Sequence, residues 1–207
     1  MQKERPILFN AEMVRALLEG RKTQTRRVVK PQPDLRNWIK VRRGKERFGN
    51  HICDSKSLVM CPYGQAGDRL WVRETWADLS NAGFSIGEKE TPAAYRASTC
   101  AEGDRIREDY GIKWKPSIHM PRWASRINLE IKAIRVERLQ DISEVDAIAE
   151  GITDGGCTNC GEHEPCGCDA PMPDYIDAFA CLWHSIHGTE SWHSNPWVWV
   201  IEFERIE

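Results

Sequence analysis

The chain has 207 residues, 41% of them hydrophobic and 29% charged, with 29 Lys and Arg against 31 Asp and Glu. That balance excludes a collagen-like, low-complexity or wholly disordered chain. At this length about 70% of the unfolded surface can be buried, enough for one decorated domain or two small ones. The formal net charge of -2 is a cancellation, because Met1 to Asn50 holds 14 basic and 5 acidic residues whereas Gly151 to Glu207 holds 1 and 10. No apolar run approaches the roughly 20 residues a bilayer requires. The start, Met1-Gln2-Lys3-Glu4-Arg5-Pro6, leads into no apolar stretch of signal-peptide length. The expectation is a cytoplasmic protein with no membrane segment.

In chain order, Pro6 to Phe9 reads as a short strand. A helix follows, capped by Asn10, with Met13, Val14, Leu17 and Leu18 on one face and Gly20 suited to positive φ after its last turn. Arg21 to Lys30 is cationic, and Pro31 and Pro33 end any regular element. Residues 34–66 carry many charges with weak periodicity, which predicts a long surface excursion. The β-branched and aromatic content of Arg69 to Trp76 favours a strand. Ala94 to Ala97 is a candidate short strand, and Ile127 to Ile131 alternates as a half-buried strand does, continuing towards Leu139. Ser143 with Asp146 three residues on predicts a helix start, and Gly151 its stop. A second helix is expected from about Asp174 to His187, with Tyr175, Phe179, Leu182 and Ile186 inward, before a last strand, Trp197 to Ile206. Separated strands with few short helices, not in regular alternation, argue for an α+β domain around a small mixed or closed sheet. No glycine-rich phosphate loop occurs.

Three constellations carry candidate chemistry. In Gly20-Arg21-Lys22-Thr23-Gln24-Thr25-Arg26-Arg27, four cations in seven residues follow a helix end. Such a run is either a solvated basic turn or a set of phosphate donors, with hydroxyls near an amine as potential nucleophiles. Cys157-x-x-Cys160 and Cys166-x-Cys168 stand among glycines. They suit a closed structural zinc site with four thiolates, or else are free, oxidation-labile thiols. Lys113 to Trp123 interleaves Trp and cations, as in surfaces that stack unpaired bases. Trp114, Arg122 and Trp123 are its candidates for nucleic-acid contact, although the two Trp suit a core equally, and Trp71, Trp197 and Trp199 read as core. His119, His184, His187 and His193 read as structural.

Leu18 to Arg26 resembles the opening motif of ASCH domains, small PUA-like β-barrels linked to RNA. The likeness to phage and prophage members is close over most of the chain, including Met1 to Pro33 and Pro116 to Ile127. The resemblance implies a single PUA-like domain over residues 1–207, with flanking short helices and insertions at about 34–66, 77–118 and 152–172, the last being the cysteine-rich loop. Its Gly-Arg-Lys-Thr-x-Thr is similar to that of the superfamily's N4-acetylcytidine amidohydrolases. That similarity implies a catalytic triad of Lys22, Thr25 and Glu150 needing no cofactor, and RNA or a modified nucleoside as partner, contacted also by Arg21, Thr23, Arg26 and Arg27. Superfamily members without chemistry, or resembling ribonucleases, leave those alternatives open.

Two physical expectations accompany the triad. On a plain strand, residues three apart face opposite sides, so Lys22 and Thr25 cooperate only if the chain turns between them. At a helix end, the carbonyl dipole disfavours the Glu150 anion and suits that group to proton donation.

Overall fold

The computed structural model describes residues 2–33, 51–53, 58–80, 92–153 and 175–206. β1 (Glu4–Leu8) leads into α1 (Ala11–Leu18) and then β2 (Gln24–Val28). β3 (His51–Cys53) and β4 (Leu58–Met60) form an antiparallel pair, so the stretch expected as a bare surface excursion contains strand structure. The apolar run from Arg69 divides into β5 (Arg69–Arg73) and β6 (Trp76–Asp78), and β6 pairs with β7 (Ala93–Tyr95). α2 (Ala101–Asp109) follows, then β8 (Asn128–Arg138), α3 (Glu144–Ala149), α4 (Tyr175–His187), α5 (Thr189–His193) and β9 (Trp197–Ile206).

The main sheet has five strands in the order β1-β5-β8-β9-β2, with β1 parallel to β5 and the other neighbours antiparallel. The protein is thus α+β, but among the described residues this sheet is open, with β1 and β2 as its edges, and not a closed barrel. Its longest ladder, β8 on β9, carries a bulge between Ile131 and Ala133. The bulge puts Lys132 outside, where it pairs with Glu130 and Glu204, and shifts the inward phase from Leu129 and Ile131 to Ile134 and Val136. All four therefore stay in one core.

The first half of β9, Val198 to Ile201, is buried on both faces, which is why it reads as a continuous apolar run, whereas the half from Glu202 alternates. Trp199, Ile201 and Phe203 pack with Val14 and Leu17 of α1. Val198 and Val200 pack with Ala147 of α3 and Phe179 and Trp183 of α4. The inward side of α4 is thus Phe179, Ala180 and Trp183, while Ile186, expected inside, is 42% exposed. Trp71 is only half-buried, against the expected core role, whereas Trp199 is fully enclosed. Among the described residues, no helix is long and apolar enough to cross a membrane.

Candidate functional site

The site forms where two helix ends meet beside the edge strand β2. α1 starts with the Asn10 side chain accepting from the Met13 N–H at 2.8 Å. It ends with Gly20 at φ +75°, where the Gly20 and Arg21 N–H groups donate to Leu17 O and Ala16 O, a glycine-terminated helix end. α3 starts with the expected capping box between Ser143 and Asp146. It ends in the same manner, with Gly151 at φ +93° and the Gly151 and Ile152 N–H groups donating to Ile148 O and Ala147 O. The chain after α1 is then stitched across, with the Thr23 N–H donating to Ala149 O and Thr23 O accepting from the Phe203 N–H, both at 2.9 Å. These bonds carry Lys22 past the last turn of α3.

Lys22 Nζ donates to Glu150 Oε2 at 2.6 Å and to Glu150 O at 2.7 Å. Both side chains are out of water, at 0% and 3% exposure. Burial lowers the proton affinity of Lys22. Glu150 opposes this through its charge and hydrogen bond, and Arg27 and Arg26 push it down further. Lys22 precedes β2 by two residues, so strand alternation does not relate it to Thr25. Glu150 faces Lys22 and, at 3.4 Å, Arg26 Nη1.

Arg26 is fully buried and committed to three carboxylates, those of Glu137, Asp146 at 3.3 Å, and Glu150. Arg135 extends the network by donating to Glu137 at 3.0 Å, to Asp146 at 2.6 Å and to Glu202. Gln24 donates to Asp146 at 3.1 Å. Burial alone would raise the Asp146 carboxyl, but hydrogen bonds from Ser143, Gln24 and Arg135 and the charge of Arg26 outweigh it and hold it at about 2. Glu137, Asp146, Arg135 and Gln24 were not among the sequence candidates. Only Asp146 carried a local signal, as a capping residue.

Thr25 stands opposite Ile201, on the α1 side of the sheet. It lines a cavity of about 30 Å³ with Arg26, Arg27, Glu150 and His187. Among the described residues no hydrogen bond joins Thr25 to Lys22 or Glu150. A wider, open cleft of about 320 Å³ adjoins it between α1, the end of α3 and α4, with Arg21 and Glu150 in its wall. Met13, Glu150 and Leu182 line both spaces. The cleft is in the range of small-molecule sites, whereas the inner cavity takes a water and no base.

Arg21 is part-exposed at the cleft wall, donating to Glu19 and, at 2.8 Å, to Gly151 O. Arg27 lies over Phe9, 5.3 Å from the ring centre, and donates to Leu8 O at 2.6 Å. The Thr23 side chain is exposed. The third constellation lies elsewhere. Trp114 donates to Asp104 at 3.0 Å and carries the guanidinium groups of Arg96 and Arg107 on its ring. Trp123, 50% exposed, meets Trp76 edge-on, and Arg122 pairs with Glu4 at 3.2 Å. No hydrogen bond, ion pair or ring contact among the described residues joins these three to Lys22, Thr25 or Glu150.

Cys157, Cys160, Cys166 and Cys168 lie outside the described residues. Among those described, no group of three or more His, Cys, Asp or Glu is placed to hold a metal ion. His187, read from sequence as structural, was missed as a wall of the Thr25 cavity. Its only signal was its spacing on α4, one turn beyond Trp183. Comparison with protein-family models, with curated proteins and with solved structures finds no match for the chain.

Proposed function

We propose that the chain is an ASCH-type, PUA-like protein that takes RNA or a modified nucleoside into the cleft beside Glu150 and hydrolyses an amide of the N4-acetylcytidine kind with Lys22, Thr25 and Glu150. The observation that carries this reading is the buried Lys22–Glu150 pair, whose Glu150 lines a cleft of nucleoside size. Removing two ions from water costs several kcal/mol each. Ending α3 does not require it, because Gly151 already terminates the helix. The Arg27 side chain on edge strand β2 donates to Leu8 O at the end of edge strand β1, so the two sheet edges lie within one side chain's reach, which favours the PUA-like reading.

The pair holds a transferable proton across 2.6 Å. With that proton on Glu150, Lys22 is a neutral base and Glu150 an acid, at no change in total charge. Thr25 Oγ attacks the acyl carbon while its proton passes to Lys22. The C–N bond then breaks as the Glu150 proton passes to the leaving amine, which restores the ion pair and leaves the acyl group on Thr25. One water hydrolyses that ester. Arg26 and Arg27 stand beside the cavity, where negative charge develops on the acyl oxygen.

A second reading has its own observation. Lys22 also donates to the Glu150 backbone carbonyl, as a lysine stabilising a helix end does, and this suits a nucleic-acid or host-partner binding module without chemistry. Incubation with N4-acetylcytidine, and separately with structured RNA, distinguishes them. Cytidine release lost in Lys22→Ala and Thr25→Ala supports the hydrolase. Salt-sensitive RNA binding without product, unchanged by Thr25→Ala, supports the binding module. RNA fragmentation that needs no acyl group points to a ribonuclease.

A further inference from the structure

His187 ends α4 with its ring against the cavity that Thr25 and Glu150 line. Its imidazole lies against Trp183, itself 3% exposed, with the rings 4.2 Å apart at an angle of 37°. The same cavity is lined by Arg26 and Arg27, and each has a buried Nε–H with no hydrogen-bond acceptor among the described residues. Buried donors of this kind ask for an oxygen. A space of about 30 Å³ suits one water, and the two cations in its wall favour an oxygen there. Lys22 is not among the residues lining this cavity. Both its hydrogen bonds go to Glu150.

We propose that this cavity is the water-activating half of the site, with His187 as the general base that hydrolyses the acyl group carried by Thr25. The assignment rests on the reading of Thr25 as nucleophile. In the step, the water oxygen forms a bond to the ester carbon and His187 takes the proton released. The bond from that carbon to Thr25 Oγ then breaks, and the His187 proton returns to Oγ. The acid leaves, and Thr25 and His187 are both restored. Division of labour follows: the Lys22–Glu150 pair serves formation of the acyl-enzyme, and His187 serves its breakdown.

The surroundings suit a base that is neutral when it acts. Partial burial first, then the positive charges of Arg27 and Lys30, hold the His187 proton affinity below that of a free imidazole. Glu150, at the end of α3, and Arg26, on β2, are the other charged groups lining the cavity, and α1 contributes the apolar Met13.

The experiment follows a rapid-mixing time course of N4-acetylcytidine with the full chain and with His187→Gln, together with intact-mass measurement. The expected result for His187→Gln is a burst of one equivalent of cytidine, an acyl adduct on the Thr25 peptide, and a steady rate lower by roughly 10²-fold or more, the contribution typical of a general base. Imidazole added in solution restores turnover in part. Lys30→Gln, a surface change outside the cavity, moves the acid limb of the steady-state pH profile upward, because the imidazole loses a repelling cation. Wild-type turnover in His187→Gln with no adduct overturns the role of His187 alone. Absence of cytidine release from both proteins overturns the amidohydrolase reading and, with it, this assignment.

Discussion

Gly151 shows how much of the site depends on one atom being absent. Its φ of +93° is a region side-chain-bearing residues avoid, and a Cβ there would stand 3.0 Å from Ala16 Cβ and 3.2 Å from Lys22 Cβ. Gly151→Ala is expected to cost about 1–3 kcal/mol by backbone strain and to push Lys22 from Glu150, read as a lower thermal midpoint. Lys22 itself gives a sharper test. Lys22→Met strands the buried Glu150 carboxylate with Arg26 alone, and breaking such a pair costs about 3–5 kcal/mol. Replacing both partners, as Lys22→Met with Glu150→Leu, is expected to return much of that. Denaturant unfolding of the two single variants and the double variant measures the coupling, and additive losses would show that the pair is not a unit.

At the scale of elements, the signals readable in the sequence were the local ones. Asn10, Ser143, Gly20 and Gly151 mark helix ends because their bonds reach only three to five residues, and the residue types suffice. β8 was readable by alternation up to its bulge. β2 was not, because Gln24, Arg26 and Arg27 resemble a solvated run. Gln24 and Arg26 are buried because Glu137, Asp146 and Glu150, more than 100 residues on, fold back over them, and Arg27 is covered by Phe9. α2 was missed for the opposite reason. It buries none of its side chains, so it leaves no apolar period, and Asp104 and Arg107 tie it to each other and to Trp114. α4 was found with its inner face turned by one position, since both Leu182 and Trp183 are apolar and only Trp183 meets the core under β9.

The carboxylate network joining α3 to β2 and β8 makes stability depend on acid. The Asp146 carboxyl is held at about 2, below its ordinary 3.8. Its contribution is therefore fully present above the ordinary value and is lost as pH falls from about 4 towards 2. Thermal midpoints recorded across that window are expected to fall more steeply for the native chain than for Asp146→Asn. Equal slopes would show that the network adds nothing to stability.

For the whole molecule, the charge asymmetry along the sequence takes a spatial form. Part of the cationic head is spent internally, with Lys22 and Arg26 neutralised by carboxylates from the middle of the chain. Arg21 and Lys30 remain towards solvent. The head's excess charge is thus partly structural, and part of the cationic run read as a nucleic-acid footprint lines the cavity beside Glu150. α+β organisation was legible from strand and helix counts, whereas the open edges of the sheet were not, because closure depends on partners that no local pattern encodes.

The proposed hydrolysis depends most directly on the Thr25 hydroxyl. Thr25→Val keeps the shape of a side chain that is 1% exposed and removes only the hydroxyl proposed as nucleophile. Steady-state release of cytidine from N4-acetylcytidine, measured beside the thermal midpoint, is expected to fall to background while the protein stays folded. Undiminished release from folded Thr25→Val would contradict the assignment of Thr25 as nucleophile.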